Sequence, residues 1–222
     1  RGAFLFFMGS KMQHLMTTYN RLPLAFARGE GVWLEDSEGN KYLDAISGIA
    51  VCGLGHCHPE ISKAICEQSS TLMHTSNLYE IPLQTRLADR LAKLTGMDRV
   101  FFANSGAEAN EAAIKIARLY GHKKGIDTPS ILVCEGSFHG RTMATLSATG
   151  NRKVRAGFEP LLRGFSRIPF NDLDAVRHAA TNDQNVVAIL VEPIQGEGGI
   201  KIPDQGYLAA LREICDDNGW LL

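Results

Sequence analysis

The sequence predicts an α/β fold with a mainly parallel sheet covered by helices. Residues 99–103, 131–134 and 186–191 are short, near-continuous apolar runs, the pattern of strands buried on both faces. Segments with helical spacing separate them, most clearly Ala109, Ala112, Ala113, Ile116, Ala117 and Tyr120. Each run gives way to small or polar residues before the next helix, and such alternation builds parallel sheets. The chain has 222 residues, 45 % of them hydrophobic, enough for a sizeable core in one large domain or one and a half.

The elements follow in order. Residues 1–11 do not match what comes after. Their apolar stretch 3–8 is shorter than a signal-peptide core and no cleavage site follows, so 1–11 is read as upstream sequence. Residues 32–35 and 41–44 flank a turn containing Gly39 and Asn40, a hairpin signal. A loop with Gly48, Gly53 and Gly55 leads to Pro59, which opens a helix carrying Ile61, Ala64 and Ile65. Pro82 opens another, with Leu83, Leu87, Leu91 and Leu94 on one face and Gly96 as its stop.

Ser105 and Glu108 form an S-x-x-E capping box at the head of the long helix, which ends near Gly121 or Gly125. Residues 149–169 show no regular pattern. Asn171 or Asp172 caps a short helix reaching about Ala180. Asp204 is expected to cap a last helix with Leu208, Leu211, Ile214 and Cys215 on one face. Asn218-Gly219 stops it, and residues 220–222 begin a further strand.

Composition excludes several classes. With 23 basic and 24 acidic residues, nothing suggests nucleic acid or an anionic membrane as partner. No apolar run approaches the roughly 20 residues of a membrane span. The five cysteines are scattered and odd in number, as expected of reduced thiols in a cytoplasmic protein. His56-Cys57-His58 is not read as a metal site. Adjacent residues on an extended chain point to opposite faces, and no second pair stands at zinc spacing.

Ligands of parallel sheets sit at the carboxyl ends of the strands, and three informative loops follow strands here. Ser105-Gly106-Ala107 offers backbone N–H groups and a positive dipole end, either a phosphate site or an ordinary tight turn. Phe138 is either a core residue or a face for a planar ring. His139 reads as a satisfied structural histidine. Arg141 either holds a carboxylate bidentately or makes a surface ion pair. Glu197, in a glycine loop, is a site carboxylate or simply solvated. A flat, phosphorylated aromatic cofactor would suit this set.

Asn104-Ser105-Gly106-Ala107-Glu108-Ala109-Asn110-Glu111, Gly136-Ser137-Phe138-His139-Gly140-Arg141-Thr142 and Glu192-Pro193-Ile194-Gln195-Gly196-Glu197-Gly198-Gly199 resemble the class III aminotransferases. These are fold type I enzymes that use pyridoxal 5′-phosphate (PLP). Gly48-Ile49-Ala50-Val51 and Gly55-His56-Cys57-His58-Pro59 also match. Within the family, Ser76-Asn77-Leu78-Tyr79 and Pro169-Phe170-Asn171-Asp172 resemble the acetylornithine branch. The resemblance runs from about Tyr19 to the end of the chain. It implies a small-domain segment at 12–75 and a PLP-binding large domain at 76–222.

It also implies roles. Gly106 and Ala107, with Ser105, would bind the PLP phosphate, and Phe138 would stack on the pyridine ring. Arg141 would hold the α-carboxylate of N-acetylornithine. Glu197 would pair with a downstream arginine and swing aside for 2-oxoglutarate. Tyr19 would line the substrate site. Thr75, Ser76 and Asn77 would lie near a homodimer interface. The implied activity moves the 5-amino group between N-acetylornithine and 2-oxoglutarate, a step of arginine biosynthesis. Ornithine, succinylornithine or 4-aminobutyrate are alternative donors, and a non-catalytic phosphate-binding remnant or interaction module is an alternative of another class.

Two family features are not found. The D-E-x-Q motif, whose Asp pairs with the pyridine nitrogen, and the lysine that forms the Schiff base have no counterpart among these residues. The chain is therefore expected to be the N-terminal half of an enzyme and not to turn over by itself.

Overall fold

A computed structural model describes residues 14–222, so the stretch 1–11 lies outside the described residues. The chain divides into two compact units, one ending at Leu83 and the other running from Gln84 to Leu222.

The first unit carries an antiparallel sheet of β1 (Phe26–Glu30), β2 (Trp33–Asp36) and β3 (Lys41–Leu43), in that order. β2 and β3 form the expected hairpin, pairing Trp33 with Leu43 and Glu35 with Lys41. Asp36 closes its turn: the carboxylate accepts the backbone N–H groups of Glu38 and Asn40, each at 2.9 Å. β1 is a strand that the sequence pattern did not announce.

The glycine loop after β3 contains α1 (Ser47–Ala50), which is a left-handed turn. Ser47, Gly48, Ile49 and Ala50 have φ of 52, 62, 61 and 60°. For residues with a Cβ this costs roughly 1–2 kcal/mol each. Asp44 holds the entrance. Its carboxylate accepts the N–H groups of Ile46 and Ser47 and meets His56 Nε2 at 2.7 Å. The His56 bond holds the Asp44 carboxyl below its usual range. α2 (Pro59–Thr71) follows, with Pro59 in its first turn. α3 (Pro82–Thr95) begins at the boundary between the units and stops at Gly96.

The second unit is built on a parallel sheet ordered β5-β4-β6, with β4 (Ser130–Cys134) between β5 (Phe165–Ile168) and β6 (Val186–Leu190). Helices α4 (Gly106–Lys123), α5 (Met143–Ala148), α6 (Arg152–Arg155), α7 (Leu173–Asn182) and α8 (Tyr207–Asn218) accompany it. Every residue of β4 is buried. Leu132 and Cys134 pack with Val176 of α7 and with Tyr207, Leu211 and Cys215 of α8. Ile131 and Val133, on the alternate side of the pleat, pack with Ile114 and Ala117 of α4 and Ala144 and Ala148 of α5. Leu221 bridges Ala188 in parallel, so the strand expected at 220–222 begins along β6.

Three expectations fail. Residues 99–103 are not a strand, and Phe101 is 67 % exposed. An apolar run becomes a strand only where a neighbour takes up its N–H and C=O groups, and none does among the described residues. The irregular segment 149–169 contains α6 and β5. β5 reads Phe-Ser-Arg-Ile and is only half-buried, so a search for continuous apolar runs passes over it. Asp204 does not cap α8; Gly206 does, at φ 88°, while the Asp204 carbonyl accepts the Tyr207 N–H at 3.1 Å. Among the described residues no helix is long and apolar enough to cross a membrane.

Gly121 shows how tightly α4 sits on the sheet. A Cβ there would lie 2.7 Å from Pro129 Cγ and 2.8 Å from Val187 Cγ1. Alanine would gain helix propensity of about 1 kcal/mol and lose about 1–3 kcal/mol to overpacking. Gly121→Ala is therefore expected to lower stability in urea denaturation, the reverse of its effect in an exposed helix.

Candidate active site

The long helix α4 starts where the sequence places it. Ser105 is the N-cap, and its hydroxyl accepts the Glu108 N–H at 3.2 Å. The Glu108 carboxylate reaches one residue further than a capping box requires, to the Asn104 N–H at 2.6 Å. The N–H groups of Gly106 and Ala107 have no acceptor within the helix. A Cβ built on Gly106 would meet nothing within 4 Å among the described residues. Beside them Phe102, Asn104, Glu108 and Glu111 line a cleft of about 330 Å³.

The loop after β4 is drawn against this helix end. Asn110 Nδ2 donates to the His139 carbonyl at 2.8 Å, and the Thr142 hydroxyl donates to the Glu111 carboxylate. Gly140 makes the approach possible. A Cβ there would lie 2.9 Å from Ala107 Cβ and 2.6 Å from Thr145 Oγ1, and its φ of 132° disfavours any side chain. Ser137 is buried, and its carbonyl accepts the N–H groups of Gly150 and Asn151.

Phe138 is half-buried rather than in the core, and the Arg141 guanidinium lies 5.9 Å from its ring centroid. The structure thus brings Gly106, Ala107, Phe138 and Arg141 to one rim. His139 departs from expectation. Its backbone is fully used, but its buried ring leaves Nε2 without a partner, and burial pushes its pKa down to about 4.

The third loop joins the same rim. Glu197 receives Asn151 Nδ2 at 3.0 and 3.3 Å on its two oxygens. Gln195 is wholly buried and donates to the Glu135 carbonyl at 2.9 Å. Glu192 accepts the Phe138 N–H at 2.7 Å on one oxygen and the Gly196 N–H at 3.2 Å on the other. Tyr19 belongs to the first unit and is exposed. Sequence reasoning gave no role to Asn110, Glu192 or Asn151. The first two lie inside the motifs; Asn151 has no local signal.

A bare helix N-terminus, an aromatic face and a guanidinium brought together by the loop after β4 are groups that suit a phosphorylated planar cofactor. The aminotransferase class III family model matches residues 15–222. The acetylornithine aminotransferase of Nitrosomonas europaea is 66 % identical over 211 residues, covering 95 % of this chain and 54 % of that protein. Acetylornithine aminotransferase 1 of Bordetella parapertussis is 52 % identical, covering 94 % and 53 %. Among solved structures, the ornithine aminotransferase of Toxoplasma gondii superposes with a TM-score of 0.91 at 34 % identity, covering 97 % of this chain and 52 % of that one. The acetylornithine aminotransferase of Elizabethkingia anophelis gives 0.81 at 34 %, covering 97 % and 51 %. The chain belongs to the class III aminotransferases, which are PLP-dependent. It spans about half the length of the curated relatives it matches.

His139 makes a pH prediction. Its pKa of about 4 lies below the ordinary 6.5, so the unfolded chain binds the proton more tightly. Its contribution is present above pH 6.5 and is lost as pH falls towards 4, on the order of 3 kcal/mol in all. Denaturation midpoints measured across that window should fall with acidity, and His139→Gln should flatten the slope.

Proposed function

We propose that this chain is the cofactor-binding half of an acetylornithine aminotransferase that moves an amino group between N-acetylornithine and 2-oxoglutarate. The observation that carries this reading is the convergence of the α4 N-terminus, Phe138 and Arg141 across the Gly140 contact. The identity of 66 % to a protein of that name supports the choice of branch.

The residues fit PLP. Gly106 and Ala107 would hold its phosphate through backbone N–H groups, with Ser105 fixing the first turn of the helix. Phe138 would cover one face of the ring. When bound, the cofactor supplies an electron sink that weakens the bonds of the substrate's amino-bearing carbon. Arg141 would orient N-acetylornithine by its α-carboxylate, so that its 5-amino group faces the ring. Glu197 carries a negative charge that a dicarboxylate must displace, and Asn151 gives it a place to rest. Tyr19 would line the substrate site. The domain division at 75/76, a homodimer with Thr75, Ser76 and Asn77 near its interface, and a cytoplasmic setting belong to the same proposal.

Ornithine as donor is the second reading, favoured by the TM-score of 0.91 to the Toxoplasma ornithine aminotransferase. Steady-state kinetics on the protein at the full length of its relatives decides between them. We expect kcat/KM for N-acetylornithine to exceed that for ornithine; the reverse order would select the second reading.

In the same protein, Arg141→Ala should raise KM for the donor by a factor on the order of 10²–10³, from loss of charge-assisted bonds worth ~3–4 kcal/mol together. An unchanged KM would remove Arg141 from the substrate site. The 222-residue chain itself, incubated with PLP and reduced with borohydride, should show no stoichiometric label on any single lysine.

A further inference from the structure

Glu192 lies just past the carboxyl end of β6, and its carboxylate faces two backbone donors from two different loops. One oxygen takes the Phe138 N–H at 2.7 Å and the other takes the Gly196 N–H at 3.2 Å. No basic side chain forms an ion pair with it among the described residues. Its carboxylate accepts from peptide N–H groups, and charge-assisted bonds of this kind are about twice as strong as neutral ones.

The neighbouring attachments define what Glu192 adds. Ser137 is held through its carbonyl by Gly150 and Asn151, and His139 through its N–H by Thr149 and its carbonyl by Asn110. Between these fixed residues, the N–H of Phe138 itself is taken by Glu192. The same carboxylate fixes Gly196, next to Glu197, whose side chain returns through Asn151 to the Ser137 carbonyl. The hydrogen bonds thus close a circuit around the rim, in which Glu192 bonds to the backbone of both loops.

We propose that Glu192 is a positioning residue that sets the Phe138 ring against the cofactor and holds the Glu197 loop at a matching height. This rests on the reading of Phe138 as the cofactor-facing aromatic. A glutamine in its place keeps the shape but presents an NH₂ group where an acceptor was, so one of the two N–H groups loses its partner.

The test uses the apo form of the full-length protein and its dissociation constant for PLP, read by fluorescence. Glu192→Gln should weaken PLP about tenfold or more, and Glu192→Asp, which keeps the charge, should recover part of the loss. Phe138→Ala should weaken PLP as well. The decisive variant combines Glu192→Gln with Phe138→Ala and should bind PLP no more weakly than Phe138→Ala alone. Losses that multiply would mean that Glu192 acts on the fold at large, and would overturn the proposal. Unchanged affinity in Glu192→Gln, with a loss in Phe138→Ala, would overturn it while leaving the role of Phe138 standing. Unchanged affinity in Phe138→Ala would overturn both. Amide hydrogen exchange at Phe138 and Gly196 in the apo protein gives a readout without cofactor: at least one of the two should exchange faster in Glu192→Gln, and wild-type protection at both would overturn the proposal.

Discussion

The site depends on how closely a loop can approach the first turn of a helix. Gly140 has no side chain, so the backbone after β4 crosses against Ala107 and Thr145. That contact brings the loop that carries Phe138 and Arg141 against the first turn of α4. Asn110 and Glu111, one turn further along the helix, fasten the loop by hydrogen bonds to His139 and Thr142. The helix end and the ring face therefore belong to one wall. Each bond is worth only about 0.5–1.5 kcal/mol net, and together they restrict the geometry more than they add stability.

Behind the wall stands the sheet. β4 is buried along its whole length, with Leu132 and Cys134 in one cluster and Ile131 and Val133 in the other. A strand clamped on both sides gives its carboxyl end a fixed position, and the loop from 135 inherits it. Burial raises the Cys134 thiol pKa to about 11, so this cysteine is a packing residue and not a nucleophile.

The rim contains a tension between charges. The proposed phosphate site would be favoured by positive potential, yet Glu108, Glu111 and Glu192 all lie in its loops or in the helix that heads it. The structure resolves this by using each carboxylate as a backbone acceptor. Glu108 takes Asn104, Glu111 takes Thr145, and Glu192 takes Phe138 and Gly196. Peptide dipoles offset their charge locally, while the N–H groups of Gly106 and Ala107 stay available. Glu197 differs, because its hydrogen bonds come from the uncharged side-chain amide of Asn151 and not from backbone N–H groups.

The sequence by itself determined the local features. The caps at Ser105 and Asp172, the stop at Gly219, the hairpin over Asp36 and the buried strands at β4 and β6 depend on residues close in the chain. So do the three motifs that mark the family. The tertiary structure decided whatever needs a distant partner. Residues 99–103 have the composition of a strand, yet no described neighbour completes one. β5 is a strand because β4 lies beside it, despite its polar sequence. Asn110 meets His139 across 29 positions, Asn151 meets Glu197 across 46, and Glu192 meets Phe138 across 54. Hydrogen bonds require distances near 3 Å and aligned donors. Only packing the helices onto the sheet brings groups so far apart in sequence to that range, which is why the motifs were legible and the circuit that joins them was not.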